Sequence, residues 1–198
     1  MNNIKSIFSI NSSLRRYQQG FTLIELMVSI AIVAILSTIA LPSMGEFLVK
    51  MRVDNEISEV QRLLLTARNM AINTGKNTTI CPLTSGACTN NWGNEISVFT
   101  NGDNSLATNN NFAAPDELIK IKSEIRAGDK LQYTENSIIY TPDGRLLTTS
   151  TNFRYCPKDK TDLSKGISIS LSGRSYKSSD TDNDGKDEDS SGNEIVCT

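Results

Sequence analysis

A chain of 198 residues holds one domain or two, and 38% hydrophobic with 21% charged side chains describes a globular protein of modest core, neither a disordered tail nor a multi-span membrane protein. Its formal net charge of −2 gives no bulk attraction to nucleic acid. The absence of histidine removes Ser/His and Cys/His nucleophile pairs, histidine zinc sites and the commonest general base, so no catalytic residue and no enzymatic role is expected.

Residues 1–20 contain Lys5, Arg15 and Arg16 and no acid, whereas residues 21–41 carry a single charge, Glu25. A helix rising about 1.5 Å per residue crosses roughly 30 Å of hydrocarbon over such a run. Basic residues ahead of it predict a cytoplasmic N-terminus, with everything after Pro42 in the periplasm. An ordinary secretory signal puts its apolar core before the cleavage site, but here the small residue Gly20 separates the basic leader from the apolar run. Cleavage at Gly20 would therefore keep the helix. A lone carboxylate in an apolar span costs about 3 kcal/mol on insertion scales, so Glu25 needs a partner. The α-amino group that cleavage creates at Phe21 lies about one helical turn away. A glutamate snorkelling to the membrane edge is the simpler alternative.

Pro42 is expected to kink or loosen the helix, after which the apolar rhythm resumes. Val53, Ile57, Val60, Leu64, Ala67 and Ala71 recur on one helical face, expected to pack on a sheet, while Arg52, Asp54, Glu56, Glu59, Arg62 and Arg68 fill most of the other faces. Gly75 is placed to end the helix. Beyond it, β-prone runs at 77–81, 95–100, 118–125, 130–133, 137–141, 153–155, 167–171 and 174–177 are punctuated by Asn, Gly, Asp and Pro. The Asn-rich stretch 101–111 and the Asp/Ser-rich stretch 178–193 read as solvent-exposed loops with little to bury. A long helix followed by antiparallel strands gives an α+β fold: a long N-terminal helix, membrane-spanning in its first half, packed on an antiparallel β-sheet head.

The cysteines Cys81, Cys88, Cys156 and Cys197 are even in number without paired C-x-x-C spacing, which points to disulfides in an oxidising compartment. Pro82 and Gly86 allow the 81–88 loop to bend back, and a Cys156–Cys197 bridge would tie the C-terminus to the sheet. Three connectivities stay open from sequence alone. Asp180, Asp182 and Asp184 with Gly185 fit the first half of a D-x-D-x-D-G calcium loop, whose alternate carboxylates converge on a hard cation. Ser191 occupies the twelfth position in place of the usual glutamate, and Glu188 or Asp189 would substitute. Ca²⁺ is the one cofactor this pattern suits. A solvated acidic loop is the alternative, residues 180–189 holding six acids and Lys186 for a local charge of −5.

The stretch Gly20-Phe21-Thr22-Leu23-Ile24-Glu25 followed by LMVSIAIVAIL resembles the prepilin signature of type IV pilins and type II secretion pseudopilins. That resemblance implies cutting between Gly20 and Phe21 by a prepilin peptidase, N-methylation of Phe21, and pairing of the Phe21 amine of one subunit with the Glu25 carboxylate of a neighbour. It divides the chain into a leader (1–20), a transmembrane and pilus-core helix (21–42) and a periplasmic head (43–198). In the head, Ala67-Arg68-Asn69-Met70-Ala71-Ile72, Trp92-Gly93, Pro142-Asp143-Gly144-Arg145, Phe153-Arg154-Tyr155-Cys156 and Gly173-Arg174 resemble, in that order, the GspH/FimT/FimU family. The implied role is that of a minor type IV pilin, a structural subunit that primes assembly and sits at or near the pilus tip. Its implied partners are major and minor pilins, with inner-membrane lipid around the helix before assembly. A minor pseudopilin of type II secretion and a DNA-binding competence pilin are the alternatives. The last would place DNA contacts at Arg174 and Lys177, but Tyr176 stands where a second arginine is expected and the acidic loop follows at once.

Overall fold

The computed structural model describes residues 20–103, 105, 108–147 and 151–197. Helix α1 (Leu23–Thr74) begins where the Thr22 hydroxyl accepts the Glu25 backbone N–H at 3.2 Å, an N-cap that satisfies one orphan donor of the first turn. It ends at Gly75, whose φ of +66° only glycine adopts freely and whose N–H reaches the Ala71 carbonyl at 3.0 Å. Two compact units divide the chain, one ending at Ser43 and the other running Met44–Thr198. Pro42 lies within the helix, and its side chain falls outside the described residues.

In the second unit the apolar stripe of α1 is buried throughout, from Val53 to Ala71, and Leu63 joins it. Nine strands follow among the described residues: β1 (Thr78–Thr84), β2 (Ala87–Cys88), β3 (Ile96–Thr100), β4 (Glu117–Lys122), β5 (Lys130–Gln132), β6 (Ile138–Tyr140), β7 (Thr151–Cys156), β8 (Lys165–Ile169) and β9 (Ser175–Lys177). They form two antiparallel sheets rather than one. In the first, β3 pairs along one edge of β1, from Thr78↔Thr100 to Pro82↔Ile96, and β4 adds outside β3. The other edge of β1 is shared by β6 at Thr78–Ile80 and β2 at Leu83–Thr84. The second sheet runs β5-β7-β8-β9. Trp92, just ahead of β3, is buried with its ring edge-on to Tyr133 at 4.9 Å and Phe153 at 5.0 Å, and its indole N–H donates to the Glu135 carbonyl at 2.8 Å. That donor is satisfied without exposing the ring, so the aromatic bulk remains in the core.

Each expected β-run has a strand, but boundaries move for local reasons. β4 stops at Lys122 because the Ile125 N–H leaves the ladder to bond the Gly93 carbonyl at 3.0 Å. β8 starts early, at Lys165, because Gly166 lets another segment close over the strand: a Cβ there would fall 2.8 Å from Ile195 Cδ1 and 2.9 Å from the Phe153 carbonyl oxygen. The reading of 101–111 and 178–193 as loops with little to bury is corrected at four side chains. Asn101 and Asn109 are fully buried, with Asn101 Nδ2 donating to Asn109 Oδ1 at 2.6 Å, and Asp187 and Glu188 are buried as well. Burying an amide costs least when its polar atoms are met: Asn101 Nδ2 also donates to the Ser105 carbonyl at 2.8 Å, whereas Asn101 Oδ1 and Asn109 Nδ2 are buried without a partner among the described residues.

Candidate assembly and cation sites

Gly20 and Phe21 precede α1, and Glu25 sits exposed in its first turn. Every large apolar side chain from Leu23 to Leu36 is more than half exposed, and Phe21 is 83% exposed. The hydroxyls on this stretch do not break its apolar character. Ser29, Ser37 and Thr38 return their protons to backbone carbonyls of their own helix at 2.7 Å. Among the described residues no helix is long and apolar enough to cross a membrane. The side chains of Ile39, Leu41, Pro42 and Ser43, and residues 1–19 altogether, lie outside the described residues, so the expected span and leader are covered only in part.

The charged residues beside the helix stripe are not a plain solvent face. Arg52 Nε meets Asp129 Oδ2 at 2.9 Å, and the same buried carboxylate accepts the Tyr155 hydroxyl at 2.6 Å and the Lys158 N–H at 2.7 Å. Burial, then the hydrogen bond to Asp129, holds the Tyr155 phenol well above its usual pKa. Lys122, 2% exposed, pairs with Glu56 at 2.7 Å, and Lys165 pairs with Asp54 at 2.8 Å. Burial opposes the charge on Lys165, but Asp54 and Asp187 more than offset it and raise its pKa. These partners are separated by scores of residues, so a single sequence carries no signal that pairs them.

Disulfides join Cys81 to Cys88, with Cα atoms 5.5 Å apart, and Cys156 to Cys197, with Cα atoms 6.0 Å apart. The first closes the β1–β2 turn. The second ties the C-terminal segment to β7.

Between β9 and Cys197 the acidic loop is folded back on itself by bridges of Glu188 with Ser179 and Glu194. Carboxylate oxygens of Asp180, Asp182, Asp184 and Glu188 all lie within 4.8 Å of one another. Glu188 Oε2 accepts the Thr181 N–H at 2.7 Å and its hydroxyl at 2.6 Å, while the buried Oε1 has no partner. Asp189, the other residue weighed for this place, is used up elsewhere. Its Oδ1 accepts the backbone N–H groups of Ser191 and Asn193, and these bonds hold its pKa down.

Arg174 and Lys177 are both exposed, and the Lys177 ammonium donates one hydrogen bond to Ser58 Oγ on α1 at 2.9 Å.

The family described as Type II transport protein GspH matches residues 56–173. The chain belongs to the GspH family. The Prokaryotic N-terminal methylation motif matches residues 15–41. Two fimbrial proteins of Pseudomonas aeruginosa are each 46% identical over 59 residues, 30% of this chain and 38% of theirs, so the chain spans well under half the length of these relatives. The Type IV major fimbrial protein FimA of Dichelobacter nodosus is 31% identical over 118 residues, 59% of this chain and 69% of that protein. The crystal structure of the type IV minor pilin FimU of Pseudomonas aeruginosa superposes with a TM-score of 0.50 at 22% identity, covering 66% of this chain and 90% of that one, a likeness of fold.

Proposed function

We propose that this GspH-family chain is a minor type IV pilin, a structural subunit that primes pilus assembly and sits at or near the tip. The observation that carries this reading is the apolar first half of α1, uncovered by its own chain and placed directly after a Gly20-Phe21 junction inside an N-terminal methylation motif. A helix with no polar face exchanges lipid for neighbouring helices at little cost, which suits a subunit drawn from inner membrane into filament. Prepilin peptidase cuts after Gly20, Phe21 is methylated, and major and minor pilins become the neighbours that cover the helix. The fimbrial relatives and the FimU-like head support the pilus as destination.

The family description favours a second reading, a minor pseudopilin of type II secretion. Deleting the gene in the native host and scoring surface pili against secreted protein separates the two. Loss of pili with intact secretion, restored by the wild-type gene, supports the pilin role. Intact pili with blocked secretion overturns it. The competence reading lacks clustered positive charge: Tyr176 stands beside Arg174 and Lys177 where a second arginine is expected, and residues 180–189 carry a local charge of −5.

A further inference from the structure

We propose that the loop of Asp180, Asp182, Asp184 and Glu188 is a Ca²⁺ site that fixes the C-terminal segment of the head. Oxygens bound to one Ca²⁺ at about 2.4 Å can stand no more than about 5 Å apart, and these four residues offer carboxylate oxygens within 4.8 Å of one another. The donor set is all oxygen, which suits a hard cation and excludes the thiolate and imidazole chemistry of zinc.

An acidic cluster alone would be a solvated surface, and Glu188 is what sets this one apart. It is 5% exposed, its Oε2 is held by Thr181, and its Oε1 is buried without any hydrogen-bond partner. A buried, unpaired carboxylate oxygen beside three further carboxylates requires a compensating positive charge. Lys186 does not supply it to Glu188: its ammonium is hydrogen-bonded to Glu194 at 3.0 Å and only reaches the edge of the cluster, 4.0 Å from Asp184. Asp187, the remaining acid of the turn, is taken by the Ser178 hydroxyl at 2.8 Å. A cation among Asp180, Asp182, Asp184 and Glu188 completes the coordination of Glu188 and removes the mutual repulsion of the other three. Glu188 bridges both Ser179 and Glu194, so holding it fixes the chain on each side of the loop, with Cys197 tethered to Cys156 beyond.

Four carboxylates without a bidentate twelfth ligand give the weak affinity of extracellular calcium modules, about 10⁻⁴ to 10⁻³ M. The test is calorimetric titration of the full chain in detergent with CaCl₂, paired with thermal melting at 10 mM Ca²⁺ and, separately, 10 mM Mg²⁺. One ion per chain and a rise in Tm of about 3–10 °C with Ca²⁺ are expected, with a much smaller response to Mg²⁺. Asp182→Asn, which keeps the side-chain oxygen that accepts the Asp184 N–H, should lower calcium affinity at least tenfold. Glu188→Gln, near-isosteric, should do the same. No heat and no Tm shift, an equal response to Mg²⁺, or unchanged calcium binding in Asp182→Asn would each overturn the site. If Glu188→Gln proves unfolded by circular dichroism, Asp182→Asn decides.

Discussion

Gly173 rests against the backbone of Gly144: a Cβ on Gly173 would stand 2.0 Å from the Gly144 carbonyl oxygen, and both residues hold positive φ, +77° and +75°. Arg68 of α1 locks this junction by donating from Nε to that same carbonyl at 2.9 Å and from Nη2 to the Ser172 carbonyl at 3.2 Å. Three segments far apart in the chain thus meet at one point. The carbonyl of buried Gly144 gains its donor at this crowded crossing, and the guanidinium reaches the exposed Ser172 carbonyl at the same time with a fork that a lysine lacks.

Gly173→Ala should therefore be among the most damaging single-atom additions in the head. The left-handed backbone alone costs an alanine about 1–2 kcal/mol, and the contact with Gly144 lets neither segment yield. We expect a loss of at least about 3 kcal/mol, read as a fall in the urea midpoint of the full chain. Arg68→Lys, which keeps the charge but not the fork, should cost about 1–2 kcal/mol in the same assay. Near-wild-type stability for Gly173→Ala would contradict the packing described.

The helix stripe and the order of strands were legible in sequence because each follows a local period: burial of Val53, Ile57, Val60, Leu64, Ala67 and Ala71 repeats the spacing that marked them. The Gly75 stop was legible for the same reason, being set by backbone geometry at a single residue. Tertiary pairings were not. Lys122 reads as a surface charge in a strand until Glu56 is brought to 2.7 Å of it, and Asn101 reads as loop filler until Asn109 closes on it. At the cation loop the alternation of aspartates was visible, but the choice of Glu188 over Asp189 depends on which carboxylate the backbone N–H groups of Ser191 and Asn193 consume.

Two buried phenols make the head sensitive to alkali. Burial raises the pKa of Tyr140, with Arg68 opposing, and raises that of Tyr155, aided there by the bond to Asp129. In the unfolded chain both titrate near pH 10, about their ordinary value. The folded values being the higher ones, their stabilising contribution is complete below about pH 10 and is lost as pH rises beyond it. The urea midpoint should hold steady from about pH 8 to 9.5 and fall steeply by about pH 11. Tyr140 has a buried hydroxyl without a partner, so Tyr140→Phe should be neutral or stabilising by up to about 1 kcal/mol at pH 7 and should flatten the alkaline fall. An unchanged pH profile in Tyr140→Phe would remove this residue from the account.

The two disulfides differ in the loops they close, at sequence separations of 7 and 41. On the chain-entropy model the shorter loop contributes about 2.5 kcal/mol and the longer about 4 kcal/mol. Replacing Cys156 and Cys197 together by serine should lower the urea midpoint more than the same change at Cys81 and Cys88. It should also expose the segment after Asp189 to limited proteolysis, since that bridge anchors its far end. Equal effects of the two pairs would show that loop entropy is not what these bridges supply.

Glu25 offers the most direct test of the assembly reading. It is the lone charge of residues 21–41 and stands four residues after Phe21, whose amine, on the assembly reading, is freed when the leader is removed after Gly20. On that reading, pairing across subunits would let each carboxylate neutralise a neighbour's amine as the helices come together, so that charge in the apolar layer is compensated only in register. Glu25→Ala removes a group costing about 3 kcal/mol in the membrane and should remain membrane-associated at wild-type levels on fractionation. The same variant, supplied in place of the wild-type gene, should support few or no pili. Glu25→Asp, shorter by one methylene, should restore them in part. Wild-type piliation with Glu25→Ala would show that the carboxylate merely sits at the membrane edge and that subunit register is set by packing of the apolar side chains alone.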